Sequence, residues 1–407
     1  MMKVAWLAPY NVLSILPDLA ASRPSCAVHA SSWIRNLALG LAARNDVELH
    51  IVTESPLVSG PVTVQKEGIS FHILKSGIPF MRKAYPSVFP LDIMTCYAGN
   101  VRKLVNRVAG IKPDIVHSHG TEAAYSLAGV KSGFPCLVSM QGIMAAICKV
   151  SPSPHAWIVR KLERYEVSTA RYFGCRTDFD HGFVRSINSS ARIFQINEAV
   201  DRCYFNTDWE LADTNSLLFV GSLCRRKGVE ILLDAMAILR KDSGNIRLRL
   251  VGDGKPSYVD FLRERAANLG IVDCVEFMGF LPAEKIAELH KQSQIFVLPT
   301  EVDNSPNSLA EAMVTGLPII ASRVGGIPSM VRHNETAYLV GPRDSSDLAD
   351  GIEFLLGNPA ARSEMSRNAR QVGRNDFCAA NVVKQAMDAY HQILNAGKRE
   401  QDERVER

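Results

Sequence analysis

Two carboxylates, Asp303 and Glu311, stand eight residues apart in LPTEVDNSPNSLAEAMVTGLPIIAS, Leu298 to Ser322. Acids at this spacing can accept hydroxyl hydrogen bonds on both sides of a bound phosphate, provided that a helix starts between them. The apolar run Ile295–Leu298 ends at Pro299 and reads as a buried strand opening into a loop. Ser305 is the expected N-cap and Pro306 the first helical residue, since proline has no N–H to lose there. The helix should run to Thr315 and stop at Gly316. Its first turn leaves the amides of Asn307 and Ser308 without intrahelical partners, and the helix dipole favours an anion at that end. Glu311 falls on the face of Asn307 and Ser308 and leans back toward them.

A second group with phosphate chemistry is Gly221-Ser222-Leu-Cys-Arg225-Arg226-Lys227-Gly228, between a strand and a helix. A glycine turn with exposed amides and a lysine can hold a diphosphate and neutralise charge that grows on a leaving group. Its spacing does not fit a Walker A loop. A third group, Asp114 to Glu122, ends a strand with His117 and His119 at the carboxyl edge, where open α/β sheets bind ligands. Two alternate histidines without further ligands do not make a metal site, and no metal is expected.

The Asp303–Glu311 segment resembles the signature of the family-4 retaining glycosyltransferases of the GT-B fold: an acid, seven residues, Glu, then Ala-Met and Gly-x-Pro. The resemblance implies that Asp303 contacts the donor sugar and that Glu311 holds the nucleotide ribose. Asn304, Ser305, Asn307 and Ser308, lying between them, would hold the pyrophosphate. The first acid is usually Glu in the family; here it is Asp, one methylene shorter, and Glu301 lies two residues too early to match but within reach to compensate. The Gly221–Gly228 segment is similar to the family's phosphate loop, which implies a catalytic Lys227. Ser222 stands where many members have Arg, leaving Arg225 or Arg226 to supply that cation. His119 resembles the family's histidine near the reacting sugar, and Gln141 of Met140-Gln-Gly142 takes an acceptor-side position where many relatives have His. Arg176-Thr-Asp178 resembles a segment of bacterial surface-polysaccharide members, with no role derivable for it. Ala20 to Cys26 replaces the family's paired-glycine loop, and Val251-Gly-Asp-Gly254 matches a common structural turn.

These residues need a frame. The chain has 407 residues, beyond the roughly 250–300 over which one core keeps growing, so two domains are expected. Expected strands are Val4–Ala8, Val47–Val52, Ile69–Leu74, Ile115–Ser118 and Cys136–Met140, with helices at Ser31–Ala43 and Leu91–Ala109. The second half repeats the alternation, with strands at Leu217–Val220, Ile246–Val251, Val275–Phe277, Ile295–Leu298 and Pro318–Ala321. Helices are expected there at Val229–Lys241, Tyr258–Leu269, Ala283–Lys291 and Pro306–Thr315. Strands alternating with helices mean mostly parallel sheets. The expected fold is therefore α/β, two Rossmann-like doubly wound domains with a cleft between them, GT-B by resemblance. Residues 1–198 would bind the acceptor and 199–375 the nucleotide-sugar donor, with a helix at 379–394 returning to the first domain. The charged tail from Lys398 to Arg407 reads as disordered.

Nine scattered cysteines without a Cys-x-x-Cys pair fit neither a disulfide framework nor a zinc site, which favours the cytoplasm. No apolar run approaches the ~18 residues of a membrane span, and the Met1–Ala8 segment reads as a strand rather than a signal peptide. A net charge of +4 is too small to imply nucleic acid. Basic residues cluster at Lys75, Arg82 and Lys83, at Arg102, Lys103 and Arg107, and at Arg160, Lys161 and Arg164. Those clusters permit peripheral contact with an anionic membrane face or a lipid-linked acceptor. The resemblance implies a metal-independent hexosyltransferase with a saccharide or lipid-linked acceptor, in surface polysaccharide or glycolipid synthesis, and no cofactor beyond the donor. Alternatives are a sugar-nucleotide epimerase of the same fold and a non-catalytic nucleotide-sugar-binding subunit.

Overall fold

Along the first strand Val4, Trp6 and Ala8 turn to one apolar cluster while Ala5 and Leu7 turn to another, the alternation of a sheet buried on both faces. The computed structural model describes residues 1–18, 32–76, 95–211, 215–243 and 246–405. In the first half, β1 (Met2–Leu7), β2 (Val47–Ser55), β3 (Val62–Lys66), β4 (Ile69–Lys75), β5 (Ile115–His119), β6 (Cys136–Ser139), β7 (Tyr172–Cys175) and β8 (Arg192–Gln195) form one sheet. Its order is β3-β4-β2-β1-β5-β6-β7-β8, parallel except for β3, which pairs antiparallel with β4 at the edge. The helices Ser32–Ala42 and Ala379–Val405 cover one face, and Ala98–Ile111 and Ala124–Lys131 cover the other.

The second half carries β9 (Ser216–Val220), β10 (Arg247–Val251), β11 (Val275–Gly279), β12 (Ile295–Leu298), β13 (Ile319–Ser322) and β14 (Tyr338–Val340) in the order β11-β10-β9-β12-β13-β14, all parallel. Strand order reverses between β9 and β12, the switch point at which doubly wound sheets open a crevice beyond their carboxyl ends. The loops leaving those two strands are Gly221–Gly228 and Pro299–Pro306, so the topology alone puts both phosphate-type segments beside each other. In the first half the reversal falls between β1 and β5, and β5 ends at His119.

The chain passes from one core to the other between Ala199 and Val200 and returns between Phe377 and Val382. The two crossings are bonded together: the Val200 amide donates to the Phe377 carbonyl at 3.0 Å, and the Asn197 side chain donates to the Asp376 carbonyl at 3.1 Å. The last helix is fixed by Tyr390, whose buried hydroxyl accepts from the Trp6 indole at 3.0 Å and meets His117 Nδ1 at 2.8 Å. Tyr390→Phe leaves both groups buried without that partner, and a loss of about 2 kcal/mol is expected in denaturant unfolding.

Several boundaries differ from the sequence reading. The Leu91–Ala109 helix is Ala98–Ile111, and residues 91–94 lie outside the described residues. The segment from Lys398, expected to be disordered, continues the last helix to Val405, since Lys, Arg, Glu and Gln have good helix propensity. The Ala20–Cys26 loop, Arg82 and Lys83 also lie outside the described residues.

Candidate active site

The Gly221–Gly228 loop tightens into a single 3₁₀ turn, Arg225–Lys227, ended by Gly228 in the left-handed region. The turn packs on the loop after β12. The Arg226 carbonyl accepts from the Glu301 amide at 2.7 Å and from the Thr300 hydroxyl at 2.9 Å. This docking delivers the Lys227 ammonium to 2.5 Å from Asp303 Oδ2, with the Arg226 guanidinium 3.6 Å from Oδ1. The Lys227 side chain is 9% exposed and that of Asp303 13%, so the pair is largely screened from water. Burial pushes the Asp303 carboxyl up, but Lys227 and then Arg226 more than offset it and hold the group below the usual carboxylate range. Glu301 pairs instead with Arg343.

The following helix is Asn307–Thr315, one residue shorter than expected, and its N-cap is Pro306 rather than Ser305. Pro306 keeps an extended ψ of 122° and no side chain caps the turn. The first helical bonds run from Leu309 and Ala310 back to the Pro306 carbonyl, so the Asn307 and Ser308 amides precede the ladder. That end is half-exposed at Ser305, Asn307 and Ser308, and free amides at a helix start favour an anion. Gly316 ends the helix at a φ of 78°. Glu311, half-buried one turn in, accepts a hydrogen bond from Tyr204. Burial raises its carboxyl to about 7, the Tyr204 bond opposes that rise, and Asp201 adds to it.

The Asn304 side chain is engaged with the first half of the chain. Its amide nitrogen donates to Asp180 Oδ2 at 2.9 Å and to the Gln141 carbonyl at 3.1 Å, and its carbonyl accepts from the Thr177 hydroxyl at 2.6 Å. All three partners belong to the first half of the chain, so Asn304 clasps the halves together one residue from Asp303. The backbone there fits only because of two glycines. A Cβ at Gly325 would lie 1.8 Å from the Asp303 carbonyl oxygen, and one at Gly326 would lie 2.0 Å from that of Asn304.

On the first-half side, His119 is 5% exposed and its Nε2 has no hydrogen-bond partner among the described residues. Burial, helped by the Arg176 charge, lowers its pKa to about 3, so the ring is neutral at physiological pH. His119, Gln141, Arg176, Asn197 and Glu198 line one small pocket. Arg176 pairs with Glu198 and donates to the Met140 and Gln141 carbonyls, which gives this sequence match a structural task. Ser222 and Arg225 are exposed on the phosphate loop. The sequence reading gave no role to Tyr204, Asp201, Thr177, Asp180 or Glu198. No group of three or more His, Cys, Asp or Glu able to hold a metal occurs among the described residues.

Two doubly wound sheets thus frame the molecule, and the switch point of the second brings Asp303, Lys227 and the half-exposed start of the Asn307–Thr315 helix to one edge. Residues 208–372 match the family model of the glycosyl transferases group 1. The chain is 25% identical over 357 residues to the N-acetyl-alpha-D-glucosaminyl L-malate synthase of Bacillus anthracis, an alignment covering 82% of this chain and 92% of that protein. Its structure is similar to that of sucrose-phosphate synthase from Thermosynechococcus elongatus, with a TM-score of 0.79 and 20% identity over 97% of this chain and 100% of that one. It is also similar to Anabaena HepE in complex with UDP, with a TM-score of 0.69 and 16% identity over 96% and 100% of the two chains. The protein is a glycosyltransferase of the GT-B fold, and its second half carries the group 1 domain, whose members use nucleotide-sugar donors. Among the described residues no helix is long and apolar enough to cross a membrane.

Proposed function

We propose that this protein transfers a sugar, with retention and without a metal, from a nucleotide-diphosphate sugar to a saccharide or lipid-linked acceptor, in surface polysaccharide or glycolipid synthesis. Residues 1–198 would bind the acceptor and 199–375 the donor, in the cytoplasm at or near the membrane face. The observation that carries this reading is the buried Lys227–Asp303 pair beside the open Asn307–Thr315 helix end. The donor diphosphate would lie on the Asn307 and Ser308 amides, with Ser222, Ser305 and Arg226 at its edges and Lys227 meeting the charge that grows on the leaving phosphate. The sugar hydroxyls would reach Asp303, the ribose hydroxyls Glu311, and the acceptor would approach past neutral His119 and Gln141. The acceptor hydroxyl attacks the anomeric carbon from the face that the diphosphate leaves, and its proton passes to the departing phosphate oxygen. Orientation and fixed charge in the interdomain cleft supply the rate.

The test is donor binding. UDP, named with the HepE structure, is the first nucleotide to try, followed by GDP, ADP and dTDP with their sugars. A bound nucleotide must raise the apparent melting temperature by mass action; no stabilisation by any of them at millimolar concentration would overturn the donor site. Glu311→Ala should weaken donor binding about 100-fold, since two hydroxyl bonds to a charged acceptor are lost. Because the free Glu311 carboxyl sits at about 7 and the ionised form is the better acceptor, binding releases a proton below that pH. Affinity should therefore rise as pH climbs toward 7 and level off above it, and Glu311→Gln should flatten the profile in calorimetric titrations.

A further inference from the structure

Between Thr95 and Arg171 the chain carries ten Lys and Arg against four Asp and Glu, an excess larger than the +4 of the whole protein. The acids do not balance the cations at the surface. Glu163 and Glu166 are buried, and the Glu122 carboxylate accepts the Gly142 amide, leaving Asp114 as the exposed acid. Three of the ten cations, Arg160, Lys161 and Arg164, lie on the helix Pro154–Thr169, whose inward face is Ala156, Val159, Glu163, Glu166 and Val167. Trp157, Arg160, Lys161, Arg164 and Tyr165 form its outer ridge at helical spacing. Trp157 is 52% and Tyr165 49% exposed, large aromatic groups left in water. The Lys161 ammonium lies 3.7 Å from the centre of the Trp157 ring, so stem and ring form one amphipathic patch. The helix is held firmly: Glu163 accepts from the Met144 and Ala145 amides at 2.9 and 3.0 Å and from the Thr121 hydroxyl at 3.0 Å, two residues beyond His119. Ala98–Ile111, with exposed Arg102 and Lys103, belongs to the same helical layer.

We propose that the Trp157–Tyr165 ridge is a docking surface for an anionic lipid bilayer. Indole and phenol rings suit the headgroup boundary, and the cations meet acidic headgroups without acidic side chains on the ridge to repel them. The inference rests on the lipid-linked acceptor reading for its use, and it is tested without turnover. The full chain is sedimented with phosphatidylcholine vesicles and with vesicles containing about one-third phosphatidylglycerol, at low and high salt. Binding is expected to the anionic vesicles alone and to weaken with salt. The double variant Lys161→Gln, Arg164→Gln should bind roughly 30-fold more weakly, and Trp157→Ser should also lose affinity. Arg263→Gln with Lys285→Gln, exposed on the second half, should bind as the parent does. Equal binding to neutral vesicles, an equal loss in the second-half variant, no binding at low salt, or preference for a single-stranded oligonucleotide would each overturn the proposal. Nucleotide stabilisation of the same variants separates the two readings: vesicle binding without donor binding removes the transferase site and keeps the docking surface, and the reverse removes only the surface.

Discussion

Replacing Lys227 by alanine is expected to lower kcat about 10²- to 10³-fold while donor affinity changes less than about tenfold. The ammonium is nine-tenths buried and 2.5 Å from Asp303, so it is fixed before any donor arrives. A fixed charge gains most where charge increases, and on the proposed path that is the departing phosphate. The ground-state diphosphate also has helix amides and Arg226 to bind it, which is why affinity should suffer less. Asp303 complicates the variant in a useful way. Burial disfavours its charge and Lys227 is its main compensation, so Lys227→Ala leaves the carboxylate with Arg226 at 3.6 Å and should raise its pKa. The residual activity of the variant should therefore fall further as pH drops, because a protonated Asp303 accepts hydroxyls poorly. Lys227→Arg keeps the charge and should recover part of kcat. Steady-state kinetics on folded variants decide the matter, and a Lys227→Ala kcat within threefold of the parent would sink the assignment.

The second half was legible because its physics is local. Strands β9 and β12 are short apolar runs between polar breakers, β10 alternates Arg with Leu, and the loops after β9 and β12 carry their phosphate-type residues in sequence order. The first half hid several elements. Edge strand β3 alternates half-buried and exposed residues, Val62-Thr-Val-Gln-Lys66, too polar for a core-strand pattern. It joins β4 through Glu67 at a φ of 54°, a turn position where a sequence reading looks for Asn, Asp or Gly. Strand β8, Arg192–Gln195, is four residues with polar ends. The Pro154–Thr169 helix reads as a charged surface segment, yet Glu163 and Glu166 face inward, a placement that depends on the amides of Met144 and Ala145 and not on local pattern. Tyr204 against Glu311 and the Asn304 clasp are also contacts between distant segments, and no spacing rule announces them.

Asn304→Ala is expected to reduce kcat/KM about 100-fold although its side chain bonds to the first half of the chain, because small misplacements of reacting groups are costly. Asn304 spends every polar atom of its amide on Thr177, Asp180 and Gln141. Its backbone neighbour is Asp303, whose carbonyl accepts from the Gly326 amide at 3.0 Å. The clasp therefore fixes the loop that carries Asp303 against Thr177, Asp180 and Gln141 of the first half. Removing it should also cost about 1–3 kcal/mol of stability, since the buried Thr177 hydroxyl and Asp180 carboxylate lose partners. A clasp and a direct donor ligand predict different cycles. If Asn304 works through Thr177, then Thr177→Val should already lower kcat/KM, and the double variant should be little worse than Asn304→Ala alone. If the effects of Thr177→Val and Asn304→Ala on kcat/KM multiply, the side chains act separately and the clasp assignment fails. Asn304→Asp should not rescue, because it sets a second carboxylate against buried Asp180, whose Oδ2 now takes the Asn304 amide at 2.9 Å.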